Sequence, residues 1–210
     1  MKDVLALVRE ALAEDIGQGD ITTNATVAHN SRCQAWLIAK QKGVLSGITV
    51  FRTVFEALEG EIKSWEALPN GSHFSKGDRV AGFEGKTRAI LTGERVALNF
   101  LQHFSGIATL TARYRESLHG LQAKLCDTRK TMPLLRKLEK DAVLHGGGAN
   151  HRYALFDGVL IKENHITAAG GIRQAVEKAL NGTHHLMKIG VEVTTLAELY
   201  EAVDAGADAV

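Results

Sequence analysis

Apolar residues at helical spacing open the chain: Val4, Leu5, Leu7, Val8 and Leu12 predict a short surface helix over residues 3–13. Residues 33–39 and 61–66 read as strands, with a helix between them over 49–58 that Gly60 ends. Turns at Pro69-Asn70-Gly71 and Gly77-Asp78 separate short β runs, the last of which covers 79–85, and 87–91 reads as one more strand. This first stretch predicts an α+β unit built on an antiparallel sheet. A long helix is then expected from Thr92, its N-cap, to a stop at Gly120. Val96, Leu98, Leu101, Phe104, Ile107, Ala108 and Leu110 supply its broad apolar face.

The pattern then changes. Strand-like runs begin near Lys124, Gly158, Met187 and Ala207, and helical patterns fill 133–144, 171–180 and 196–205 between them. Pro133 suits a first helical turn, Thr195 an N-cap and Gly206 a C-terminal stop. Strand alternating with helix predicts βαβ units and a parallel sheet, open or closed into a barrel. Ligands of such sheets sit at the carboxyl ends of the strands, here residues 127–130, 162–165 and 192–194. Residues 207–210 read as the opening of a further strand, and a full barrel takes about 250 residues by itself, so a cut chain is expected.

Composition narrows the classes. The 210 residues can bury a sizeable core, and a net charge of +1 argues against a nucleic-acid coat. Cys33 and Cys126 each lie in an apolar run, which points to reduced core thiols and an intracellular, cytoplasmic protein. The chain opens on an amphipathic segment rather than a signal peptide, and no apolar run reaches membrane-spanning length.

Positive charge is instead clustered. Arg129-Lys130, His151-Arg152, and Lys162 with His165 lie within one stretch, 125–165. Cations at the ends of buried strands are costly unless something anionic sits with them, so this stretch is expected to form a polyanion pocket. The alternative for Arg129 is an ion pair with Asp127 or Glu139, and for Lys162 a solvated strand end. Arg95, at the third position of a helix begun at Thr92, defies capping and dipole preferences, so it is either paired with an acid or faces a ligand. The acidic loop 14–20 could hold a cation or could be turns and caps. Arg136, Lys137 and Lys140 read as the wet face of a helix. His103, His119, His184 and His185 lack metal-ligand spacing and read as structural, while His145 suits a helix C-terminus.

DTRKTMP at 127–133, GGGANHR at 146–152, LIKENHI at 160–166 and VEV at 191–193 together resemble the quinolinate phosphoribosyltransferase family, the carboxylating nicotinate-nucleotide pyrophosphorylases. EDIGQGDITT at 14–23 and GERVALNFLQHFSGIAT at 93–109 are similar to the same family. The resemblance covers essentially the whole chain. It implies an α/β fold: an N-terminal α/β sandwich over 1–112, then an incomplete parallel α/β barrel over 113–210. It implies conversion of quinolinate and phosphoribosyl pyrophosphate to nicotinate mononucleotide, pyrophosphate and carbon dioxide, with Mg2+ accompanying the donor. By the same resemblance Arg129, His151 and Arg152 surround the quinolinate carboxylates. Lys130 and Lys162 face substrate and donor, Glu192 lies near the ribose and metal, and Lys130, Lys162 and Glu192 are the implied catalytic residues. Arg95 would come from the neighbouring subunit of a homodimer.

Three departures accompany the resemblance. Leu134 stands where the family commonly has glycine, a change expected to affect only helix packing. Gly190 and Thr194 stand where acids are common, which removes carboxylates from the strand face that Glu192 shares. The resemblance also implies a catalytic aspartate on the next strand and later glycine-rich phosphate loops, none of which falls within residues 1–210. The rival readings are a paralogous pyrophosphorylase-like protein of molybdate uptake, a barrel lyase using Lys162 as a Schiff base, and a truncated, non-catalytic quinolinate-binding protomer.

Overall fold

The computed structural model describes residues 4–210, which pack as two compact units, one reaching to Asn150 and one running from His151 to Val210. In the first unit, helix α1 (Val4–Ile16) buries Val8 and Leu12, as its apolar spacing predicts. Helix α2 (Ile21–Thr26) follows, N-capped by Asp20, whose carboxylate accepts from the Thr23 amide at 2.9 Å. The Thr92 hydroxyl donates to the same carboxylate at 3.0 Å. These bonds, Thr23 first, hold Asp20 below the usual carboxylate range. The acidic 14–20 stretch is therefore a helix end and a cap.

Next come β1 (Arg32–Ile38), β2 (Gly43–Val44), α3 (Ile48–Ala57), β3 (Lys63–Ala67), β4 (His73–Phe74) and β5 (Arg79–Lys86). They form an antiparallel sheet in the order β1-β5-β3 and a separate β2-β4 pair. Alternate residues Cys33, Ala35 and Leu37 of β1 face the core, the two-residue period of a half-covered strand. Phe51 and Phe55 of α3 cover the sheet, with the Phe55 and Phe83 rings 5.0 Å apart and the Trp65 and Phe83 rings 5.4 Å apart.

Helix α4 (Thr87–Ser117) corrects two expectations, because residues 87–91 are helix rather than strand and Thr92 is not its N-cap. Ala89, Ile90, Gly93, Val96 and Ala97 extend the buried stripe of Leu101, Phe104 and Ala108 backwards at helical spacing. Burial of that stripe overrides the strand propensity of Thr and Ile. At Gly93 a Cβ would meet Leu58 at 2.9 Å and Val54 at 3.1 Å, so glycine lets α4 approach α3. Leu110 is 54% exposed and lies off the buried face.

The expected strand at 124–127 is reduced to one parallel bridge, Cys126 to Ala149. Cys126 is exposed, not the core thiol its apolar neighbours suggest, whereas Cys33 is half-buried; both are free. Helix α5 (Arg136–His145) begins three residues beyond Pro133. The delay has a cause at Leu134, whose φ of +68° is left-handed. That conformation costs a side chain about 1–2 kcal/mol and a glycine much less, so the residue at 134 bears on the backbone as well as on helix packing.

In the second unit β6 (Val159–Ile161) pairs in parallel with β7 (Ile189–Val191), and Ala209 bridges Gly190 in parallel beside them. Helices α6 (Glu163–Ala169), α7 (Ile172–Gly182) and α8 (Leu196–Asp204) complete it. Ile161, Ile172, Val176, Ile189, Val191 and Ala202 form its core. The 196–205 pattern is realised as α8, with a reciprocal Thr195–Glu198 capping box, and Gly206 follows it at φ +96°. Helix α6 escaped the sequence reading because it has seven residues, and only Ile166 and Ala169 pack, partly buried, against the core.

Candidate active site

In the first unit, residues 127–132 leave the Cys126 bridge as a loop held by local bonds. The Lys130 amide donates to Thr128 Oγ1 at 3.0 Å, and the Thr131 amide to the Arg129 carbonyl at 2.9 Å. Lys130 is exposed and Arg129 half-buried. Arg129 Nε is buried without a hydrogen-bond partner, so neither Asp127 nor Glu139 satisfies it. Asp127 instead takes Lys140, Nζ to Oδ1 at 2.5 Å, with side chains 7% and 3% exposed. Glu139 takes His103, Oε1 to Nε2 at 2.8 Å, and its other oxygen accepts from the Met132 amide at 3.2 Å.

The reading of Arg136, Lys137 and Lys140 as a wet helical face is thus corrected. Lys137 conforms, in an exposed pair with Asp141. Lys140 is buried, and Arg136 Nε donates to Thr131 Oγ1 at 3.1 Å. Sequence reasoning missed Lys140, Glu139 and His103 as supports of this loop. The available signal was Asp127, with no other acid between residues 121 and 138, in a stretch rich in cations. His145 also has a specific partner, with Nδ1 2.8 Å from Ser46 Oγ, and burial pushes its imidazole below its ordinary value.

Arg95 lies in the third turn of α4, so the argument from first-turn capping does not apply to it. Its side chain is exposed and has no hydrogen bond or ion pair among the described residues.

In the second unit, Lys162 directly follows β6 and Glu192 directly follows β7. Lys162 Nζ lies 2.9 Å from both Glu192 carboxylate oxygens, an ion pair whose side chains are 46% and 59% exposed. Neighbouring backbones tie the two strand ends together, the Glu192 amide donating to the Ile161 carbonyl at 2.9 Å. His165 Nδ1 accepts from the Lys162 amide at 3.0 Å and so fixes the start of α6. Arg152 Nη1 donates to the Gly158 carbonyl at 2.8 Å, and the Arg152 amide to His151 Nδ1 at 2.7 Å. Ile189 and Val191 are buried, so Gly190 and Glu192 share the opposite face of β7. Thr194 turns back, its amide and hydroxyl bonding Glu198 at 2.6 and 3.0 Å.

A hollow of about 320 Å³ beside these residues is lined by Arg152, Val159, Ile161, His165 and Lys178 among others. A larger cleft of about 1110 Å³ in the first unit lies between the end of α4, the β2-β4 pair and Gly146–Gly148, and none of the candidate residues lines it. Chemistry rather than volume marks the site: parallel strands ending in a lysine and a carboxylate match the rule for ligand positions in α/β sheets.

The description "Quinolinate phosphoribosyl transferase, N-terminal domain" matches residues 20–105, and the corresponding C-terminal domain matches residues 107–210. A "Probable nicotinate-nucleotide pyrophosphorylase [carboxylating]" of Bacillus subtilis is 43% identical over 97% of this chain and 70% of its own length. The chain belongs to the quinolinate phosphoribosyltransferase family. A Nicotiana tabacum quinolinate phosphoribosyltransferase [decarboxylating] 1b is 39% identical over 96% of this chain but 58% of its own length. The crystal structure of NadC from Streptococcus pyogenes superposes with a TM-score of 0.91 at 43% identity, over 96% of this chain and 72% of that one. The fold is accordingly the α/β fold of this family. The two family domains meet inside α4, whereas packing divides the chain after Asn150. No helix among the described residues is long and apolar enough to cross a membrane.

Proposed function

We propose that the protein transfers the phosphoribosyl group of phosphoribosyl pyrophosphate to quinolinate with decarboxylation. The observation that carries this reading is the Lys162–Glu192 pair at adjacent parallel strand ends, within a chain that carries both domains of the family. The pyridine nitrogen bonds to the anomeric carbon as the bond to pyrophosphate breaks. The adjacent ring carboxylate then leaves as carbon dioxide, and the electron pair it leaves on the ring carbon takes a proton. The products are nicotinate mononucleotide, pyrophosphate and carbon dioxide.

Each residue has a physical role in this scheme. Arg129 and Arg152 offer guanidinium forks suited to carboxylates, and His151 adds a hydrogen bond to the same substrate. Lys130 and Lys162 act as point charges toward carboxylate and phosphate. Glu192 stabilises the positive charge that develops on the ribose. Mg2+ bound to the donor would offset the negative charge of pyrophosphate. Among the described residues no three metal-ligating side chains cluster, and Glu192, an exposed carboxylate at a strand end, would be the residue to contact a phosphate-bound ion. Unpartnered Arg95 suits a role across a homodimer interface. The small charged substrates suit a cytoplasmic enzyme that engages neither membrane nor nucleic acid.

Family membership at 43% identity favours this reading over the molybdate-uptake paralogue. Isothermal titration with quinolinate tests it. Arg129→Ala and Arg152→Ala should each weaken binding by about tenfold or more, the loss of a charge-assisted hydrogen bond. Unchanged affinity in both variants, or no binding by the unaltered protein, overturns the assignment.

A further inference from the structure

We infer that α5 is a clamp for the 127–132 loop, with Glu139, Lys140 and Arg136 as positioning residues for Arg129 and Lys130. The inference rests on the reading of that loop as anion-binding only for its consequence in affinity; the clamp itself is a matter of geometry. The three side chains stand at i, i+3 and i+4 of one helix and so share a face. Lys140 holds the loop's first residue through Asp127 at 2.5 Å. Arg136 holds Thr131 through its hydroxyl at 3.1 Å, and Glu139 holds the last residue through the Met132 amide at 3.2 Å.

A second layer backs the first. His103 of α4 fixes the free oxygen of Glu139 at 2.8 Å. Asn150, with its amide nitrogen toward the acid, donates to Asp127 Oδ2 at 2.7 Å and to the Lys140 carbonyl at 3.1 Å. The entry and the exit of a segment without regular secondary structure are thereby tied to a rigid element.

Stability alone does not account for such a network. Buried ion pairs are often matched or bettered by apolar residues of similar volume, so they are weak contributors to stability. What a satisfied polar network does specify is position. The loop needs that: fixing a backbone residue opposes its conformational entropy, and a guanidinium fork must meet a carboxylate within about 0.5 Å. Arg129 Nε, buried without a partner, also requires a backbone that cannot swing it back to water.

The test reads the loop directly and the ligand separately. In Glu139→Ala, hydrogen exchange at residues 128–132, the Met132 amide above all, should accelerate by about tenfold or more while exchange in the α3 and α4 core is unchanged. Quinolinate affinity, measured well below the melting temperature, should fall about tenfold at unaltered stoichiometry. Glu139→Gln keeps an acceptor for Met132 and should return both readouts to within about threefold of the unaltered protein. A purely structural Glu139 would lower the melting temperature and leave loop exchange and affinity as they were, and that result overturns the clamp. Should Glu139→Ala fail to fold, Arg136→Met carries the same test, and unchanged exchange at Thr131 and Met132 overturns it. An unaltered protein that binds no quinolinate refutes the functional reading instead, while loop exchange still decides the clamp.

Discussion

In the first unit the Arg129-Lys130 loop leans on a buried pair, Lys140 with Asp127, both side chains less than a tenth exposed. In the second, Lys162 and Glu192 meet in the open, each about half exposed, and their positions come from the strands β6 and β7 beneath them. One set of candidate cations is held through side-chain chemistry, the other through backbone hydrogen bonding. A loop has no ladder to fix it and must be braced from behind; a strand end inherits its place from the sheet. The same charge pairing therefore means different things: structural support at 127–140, and a solvent-facing, chemically available pair at 162–192.

The sharpest way to break this contrast is Lys140→Met, which takes the ammonium away from the buried Asp127 carboxylate. It should destabilise the protein by about 3–5 kcal/mol in denaturant titration. A loss under about 1 kcal/mol would place the loop's support elsewhere. Leu134→Gly acts on the exit of the same loop, where φ is +68°. Relief of left-handed strain, offset by the greater freedom of glycine in the unfolded chain, should stabilise by about 0.5–1 kcal/mol. Destabilisation would mean that Leu134 makes contacts outweighing its strain. Lys162→Met is the smallest effect on folding. Stability should stay within about 0.5 kcal/mol, since exposed pairs contribute little, while formation of nicotinate mononucleotide falls steeply. A folding loss comparable to that of Lys140→Met would erase the distinction between the two regions.

Much of this was readable without coordinates. The period-2 run of β1, the α1 and α8 stripes, the Thr195 cap and the strand ends at Lys162 and Glu192 follow from local rules, because side-chain periodicity and capping are properties of a few adjacent residues. The strand reading of 87–91 failed because its residues are β-branched or apolar enough for either state. Burial against α3, more than 30 residues earlier in sequence, selected the helix. That failure moved Arg95 from a helix start to a helix interior and removed the local argument for its being unusual.

The site divides in the same way. Which residues are the candidates for the chemistry was legible from motif order, since DTRK, NHR, KENH and VEV name their own cations and acid. Which residues hold them was not. Lys140 and Lys137 are both charged residues of one helix, yet one is buried on Asp127 and the other lies in an exposed pair. Sequence determined the types and spacings of the groups in this protein, because those are covalent. Only the tertiary structure decided which charges lost their water and were obliged to find partners, because desolvation depends on what the rest of the chain packs against each side chain.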